Sequence, residues 1–449
     1  MKLARTLGTL PLVFIIFFTT SGGAFSTESL VHEVGPGLAL LMLVVVPLVY
    51  SLPEVLIVGE LSSMLPVEGG YYRWVGRAFG PFWAFQNGWL TWMYSLVDMA
   101  LYPKLFALYL GWFVPGLNGA RLWAIGLAMI WTATALNLRG AARVGRSSVL
   151  LGGVVLGAFF VLSCVALASA THVPWQPFAA PGQGGVKGLG VGLSIALWNY
   201  IGWDNASTVQ GEVRDAGRSY PRALAITLPL VAAGYLLPLL AALAVTDWST
   251  WTDGGWPAIA LQVGGATGGP WLAAWIAIAG MASAVALFSA LLLAYSRIPF
   301  VMAADGLLPA RLGRTDAHGT PRVAVLFAAV CYSVMLLFPF AGLVVADVLL
   351  YSLALALELA ALVQLRAREP ELRGPFRIPV GRTGVIVLAL LPLAVLALVI
   401  VLSAMDGEYG APATLGALAV LLAGPLMYWR ARRRAARLRA YPGRSSRRT

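Results

Sequence analysis

Apolar runs of roughly twenty residues recur along the whole chain, the length a helix needs to cross the hydrocarbon core of a bilayer. "LALLMLVVVPLVYSLPEVLIVG" and "VIVLALLPLAVLALVIVLSA" are two of them. Only 11% of the 449 residues are charged, against about 25% in a soluble domain. The fold class that follows is an all-α polytopic membrane protein. A transmembrane β-barrel is excluded, because its segments would be about ten residues long and alternating. Cys164 and Cys331 lie inside apolar runs and read as small buried residues, not as a disulfide or a metal site.

Twelve spans can be drawn, at roughly 7–34, 37–61, 81–112, 121–138, 148–170, 189–213, 222–246, 270–297, 322–340, 343–365, 382–404 and 412–429. With the N-terminus in the cytoplasm, Lys2, Arg5, Arg73, Arg77, Arg139, Arg143 and Arg146 all fall inside. So do Arg214, Arg218, Arg222, Arg297, Arg311, Arg314, Arg322 and the arginines from Arg366 to Arg382. Only Arg121 and Lys187 fall in outside loops, and Lys104 lies towards the outer end of span three. That asymmetry puts both termini in the cytoplasm and supports an even number of spans. It also accounts for the net charge of +12 without a nucleic-acid partner. The expected organisation is one transmembrane domain, 1–430, followed by a basic cytoplasmic tail, 431–449. The tail is expected to anchor the topology and contact anionic lipid.

Two spans are interrupted. Span one carries Ser21, Gly22 and Gly23 in mid-run, and glycine pairs weaken helices. Read alone, the positive start, apolar run and small residues also fit a signal peptide. Span six breaks around "NYIGWDNAS", at Gly202. The two breaks fall about 180 residues apart, at the first position of two five-span groups. Discontinuous helices in corresponding positions point to a secondary transporter with inverted repeats. Cleavage in span one would leave the break in span six unmatched, so the segment is expected to be retained.

Several stretches carry a family likeness. "GELSSMLPVEGGYYRWVGRAFG" after span two, "SRIPFVMAADGLLP" after span eight, "HGTPRVAV" before span nine and "LRAREPELRGPFRIPVG" after span ten resemble signatures of the amino acid–polyamine–organocation transporter superfamily. "SGGAFSTES", "GPFWAFQNGW", "VDMALYPKLF" and "WNYIGWDNASTVQGEV" are most similar to its plant-type polyamine uptake branch, which lies near the L-type amino acid transporters. The resemblance implies a leucine-transporter-type fold that works by alternating access. That fold has two inverted five-helix repeats, here about 7–170 and 189–365, plus two further helices at about 382–429. It implies a secondary active permease for an amine, either an amino acid or a polyamine, in the plasma (inner) membrane. Proton coupling is favoured and a monomer expected. The alternatives are an L-type amino acid exchanger and a transporter-like sensor that binds without carrying. An enzyme is not expected: no HExxH occurs, and His32, His172 and His318 are peripheral. No cofactor or metal is implied.

The candidate substrate-binding residues follow from the breaks. Unwinding at Ser21, Gly22, Gly23 and Ala24 exposes backbone N–H groups at the positive end of the second half-helix, where permeases receive a carboxylate. Glu28 follows within about a turn; it either caps that end or favours a cation nearby. In the second break, Trp198 stands where L-type relatives place an aromatic gate. Tyr200 and Trp203 could stack on an amine, and Gly202 provides the hinge. Asp204 is an acid near the membrane centre, either functional or part of a polar network with Asn199 or Asn205. Span three presents Asn87, Thr91, Tyr94, Asp98 and Tyr102 on one helical face. Span ten adds Asp347, Tyr351 and Glu358, with Asp347 either a gate or solvated. The candidates for proton coupling are Glu28, Asp98, Asp204 and Glu358. No Lys or Arg occurs between Val149 and Ala170, so the helix-five lysine of some relatives is missing. Ser283 and Ser289 are weak as sodium ligands, since isolated serines commonly bond back to the helix. Glu60 is expected to be structural at the cytoplasmic end, and Glu54 is left unassigned.

Overall fold

Backbone groups inside a bilayer find no water, so each apolar run must satisfy its own N–H and C=O groups, and a helix does so. The computed structural model, which describes residues 3–180, 186–317, 319–337, 343–404 and 410–440, is built from helices accordingly. Among the described residues, β-pairing is confined to one parallel bridge between Leu7 and Val213.

The chain opens with α1 (Thr9–Thr20) and α2 (Thr27–Val34), the two halves of span one. α3 (Pro36–Val46) runs through a wide π-turn, Pro47–Ser51, into α4 (Leu52–Met64). Pro47 cannot donate to the helical ladder, and a π-turn is one way to absorb that loss. A short, largely buried helix, α5 (Gly70–Phe79), precedes α6 (Pro81–Asp98) and α7 (Leu101–Leu110). α8 (Gly119–Asn137) and α9 (Ala141–Leu167) follow. Span six is α10 (Val186–Trp198), an unwound stretch and a 3-10 segment, Asn205–Glu212. Then come α11 (Ala216–Leu243), α12 (Trp256–Tyr295), α13 (Arg297–Ala304), α14 (Arg322–Met335), α15 (Leu343–Arg368), α16 (Arg382–Ala404) and α17 (Gly410–Ala440).

Seven helical stretches among the described residues are long and apolar enough to cross a membrane, including Pro36–Met64, Ala141–Leu167 and Arg382–Leu402. α1, α14 and the end of α10 are apolar but shorter. Both interruptions expected from glycine are present. A third, at Met99–Ala100, splits span three between α6 and α7, where Pro103 cannot donate to the Met99 carbonyl one turn before it. α12 starts earlier than the expected 270 because a first piece, ending at the positive-φ Gly265, joins it. α17 runs to Ala440, so the first part of the basic tail is helical; 441–449 and His318 lie outside the described residues.

The distribution of polarity is the reverse of a soluble protein's. Leu150, Phe160 and Leu422 are exposed at 72%, 68% and 73%, while Glu28, Glu54, Asp98, Asp204, Glu212, Arg297 and Glu358 are buried. With lipid as the solvent, an apolar outer face costs nothing and polar groups belong inside. The chain is an integral membrane protein.

The ends that the charge asymmetry assigns to the cytoplasm are tied by ion pairs. Arg297 is fully buried and donates through Nε to Glu212 at 2.9 Å, with Glu68 at 3.7 Å. Glu60 accepts two bonds from Arg366, at 2.7 and 2.6 Å. Arg73 pairs with Asp305 at 2.8 Å. Hydrogen bonds from Arg77 hold the exposed Glu369 carboxyl below its ordinary range. The backbone of Thr6 and Leu7 donates to the Glu212 carbonyl at 2.9 and 3.0 Å, joining the start of span one to the end of span six. Arg297→Met strands the buried Glu212 and the half-buried Glu68 and is expected to destabilise the fold by about 3–5 kcal/mol. Arg73→Ala breaks a partly exposed pair and is expected to cost less than about 1 kcal/mol. Thermal unfolding of both variants in detergent checks the order.

Candidate substrate site

An unwound stretch inside a membrane must find partners for its backbone, and each break finds them in the other spans. In the first, Gly23 takes a φ of +93°, open to glycine at little cost, and Ser26 is held at +73°. Gly23 N donates to Ser21 Oγ at 3.2 Å. The Gly22 carbonyl accepts from Ser283 Oγ at 2.6 Å, and the Ala24 carbonyl from Trp256 Nε1 at 2.8 Å. In the second, Gly202 takes a φ of +103°. The carbonyls of Asn199 and Trp203 accept from Tyr235 and Tyr220, at 2.7 and 3.3 Å.

The two breaks pack on each other. Ser26 Oγ donates to Asn199 Oδ1 at 3.0 Å. A Cβ at Gly202 would meet the Thr19 carbonyl and lie 2.9 Å from Asn205 Nδ2. Between them lies a cavity lined by Thr19, Thr20, Gly22, Phe25 and Ser26 from span one and by Trp198, Asn199, Ile201 and Asn205 from span six. Tyr94, Asp98, Tyr102, Tyr235, Ser283, Tyr295, Asp347 and Tyr351 complete its polar wall, and no lysine or arginine among the described residues lines it.

Two acids face this space. Asp98 accepts from Tyr102 at 2.7 Å and from Tyr295 at 3.1 Å. Asp347, from α15, lines the same cavity. Its Oδ1 has no hydrogen-bond partner among the described residues. Around them the aromatic rings meet edge to face: Tyr94 with Tyr295 at 5.8 Å and with Tyr351 at 5.4 Å between centroids. Acids with aromatic walls and no basic residue make a site for a cation.

The chain belongs to the amino acid permease family. Its model matches residues 7–420, nearly the whole described length. The permease is 36% identical over 407 residues to a polyamine transporter of Oryza sativa subsp. japonica, covering 90% of this chain and 75% of that one. It is 37% identical over 388 residues to the polyamine transporter RMV1 of Arabidopsis thaliana, covering 85% and 78%. A branched-chain amino acid permease of Lactococcus lactis subsp. cremoris is 27% identical over 308 residues, covering 63% and 65%. Family membership makes the chain a membrane transport protein and not an enzyme.

Gly22, Tyr94, Asp98 and Trp198, expected in the site, line the cavity of this permease. Ser21, Gly23, Ala24 and Gly202 shape the breaks without lining it. Tyr200 and Trp203 lie behind it. The Tyr200 hydroxyl donates to the Leu43 carbonyl at 2.9 Å, and its ring meets Tyr235 at 5.3 Å. Glu28 points elsewhere: it accepts from the backbone N–H of Gly254 at 3.0 Å, in the loop before α12. Asn87, Asp204 and Glu358 form a separate buried group beside Tyr351. Ser283 and Ser289 are engaged with Gly22 and Asn137. Sequence reasoning did not single out Phe25, Tyr235 or Tyr295, since a lone aromatic in an apolar run looks like core. Asp347 it left undecided. Gly202→Ala forces a Cβ into a positive-φ position against span one. It is expected to cost about 1–3 kcal/mol and to weaken amine binding, checked by thermal unfolding and calorimetry.

Proposed function

We propose that this permease is a secondary active transporter for a cationic amine, with a polyamine as the substrate class. The observation that carries this is that Asp98 and Asp347 both line one cavity with aromatic walls and, among the described residues, no lysine or arginine. A polyamine has several positive charges and no carboxylate, so two acids on one cavity suit it. The likeness to transporters named for polyamines supports the same reading.

Alternating access in a leucine-transporter-type fold is the proposed mode, with twelve spans, two inverted five-helix repeats and two further helices. The matching breaks in spans one and six support it. Both termini lie in the cytoplasm and the protein sits in the plasma (inner) membrane as a monomer. Transport is coupled to protons, with Asp98, Asp204 and Glu358 as the acids available for it. Glu28, bonded to Gly254, is not assigned to substrate here.

A second reading is an L-type amino acid exchanger. Gly22 at the cavity wall and the likeness to branched-chain amino acid permeases favour it. Uptake of putrescine, spermidine, arginine and leucine into proteoliposomes, with and without a pH gradient, separates the two. Asp98→Asn and Asp347→Asn are expected to lower spermidine uptake by about tenfold or more, the factor for about 1.4 kcal/mol, and leucine uptake far less. Equal losses favour the exchanger. Binding without flux under any gradient or exchange condition identifies a sensor.

A further inference from the structure

Behind the cavity lie three buried acids from three separate elements, and two of them meet at one hydroxyl. Glu54 comes from α4, just past the π-turn; Asp204 from the unwound stretch of span six; Glu358 from α15. All three are at most 1% exposed. The Tyr351 hydroxyl is 3.3 Å from Glu54 Oε1 and 3.3 Å from Asp204 Oδ1. It also accepts from Gly202 N at 3.3 Å and lies 3.4 Å from the Tyr50 hydroxyl. Glu358, seven residues after Tyr351 on α15, accepts from Asn87 Nδ2 at 3.0 Å.

The proton count does not close if all three acids are ionised. Tyr351 has one proton and so can donate to Glu54 or to Asp204, not to both. Among the described residues, no lysine, arginine or histidine is ion-paired to any of the three. Glu54 Oε2 and Glu358 Oε2 have no donor. Among the described residues, the other titratable groups facing the cluster are phenols: Tyr50 from the π-turn, Tyr71 from α5, Tyr94 from α6 and Tyr220 from α11.

We propose that Glu54, Asp204 and Glu358 form a proton-holding cluster whose proton content responds to the occupant of the cavity through Tyr351. This rests on the amine-transporter reading above. Tyr351 belongs to both sites, since it lines the cavity and its hydroxyl bridges the cluster. A cation bound beside Tyr351 and Asp98 stabilises an added negative charge in the cluster. A carboxyl O–H bond then breaks, the proton leaves to water, and the carboxylate is left behind; no electrons change hands. Spermidine binding therefore releases protons, and linkage requires its affinity to rise with pH over the range of release.

Purified full-length protein, titrated with spermidine in two buffers of different ionisation enthalpy, measures the release. The wild type is expected to release up to about one proton per bound spermidine, and less with leucine. Glu54→Gln and Glu358→Gln remove titratable carboxyls that do not line the cavity. They are expected still to bind spermidine while the release falls by about half or more and the pH dependence of affinity flattens. Unchanged release in both variants assigns the proton to Asp98 or Asp347 and overturns the proposal. So does spermidine binding to the wild type with no release and no pH dependence. Should either variant fail to fold, the other variant and the wild-type pH series carry the test. Absence of any amine binding to the wild type overturns the transporter reading instead.

Discussion

The structure depends on one contact, the packing of two unwound stretches against each other in mid-membrane. Unwound backbone there is tolerated only where protein or a cavity receives it. Gly202 presses on the Thr19 carbonyl, and Ser26, itself in a left-handed conformation, is bonded to Asn199. Neither stretch could persist alone. Tyr220, Tyr235, Trp256 and Ser283 supply the donors that the missing helical turns no longer provide. The cavity is the space these two breaks leave between them, so its position follows from where the helices fail.

Around that contact the charges sort by element. Acids of α6 and α15 face the cavity, and acids of α4, span six and α15 lie behind it. Most basic residues lie at the ends assigned to the cytoplasm, where Arg297 and Arg366 are buried with acidic partners. The π-turn at Pro47–Ser51 joins sequence to site: it lies immediately before Glu54 and carries Tyr50. Tyr351 is the shared element, one face on the cavity and its hydroxyl on the buried acids.

Much of this was legible in the sequence, for physical reasons. Runs of twenty apolar residues allow few folds, and Ser21-Gly22-Gly23 and Gly202 mark the breaks because glycine alone takes those dihedrals readily. The stripe from Asn87 to Tyr102 faces inward as helical spacing requires, but it serves two sites. Asn87 bonds Glu358, while Tyr94, Asp98 and Tyr102 line the cavity. Spacing along one helix cannot show which neighbours its two ends meet. For the same reason Glu28 read as a substrate residue. Its partner Gly254 is more than two hundred residues away, in a loop whose return to α2 no local pattern announces. Tyr295 and Asp347 become legible only once α12 and α15 are set beside α6.

The central claim is that the space between the two breaks holds a cation on Asp98 and Asp347. A structure of the protein determined with spermidine bound tests it most directly. Extended ligand density between the breaks is predicted, with ammonium nitrogens within about 4 Å of both carboxyls. Spermidine seated elsewhere, or in the cavity with neither acid near an amine, would contradict it.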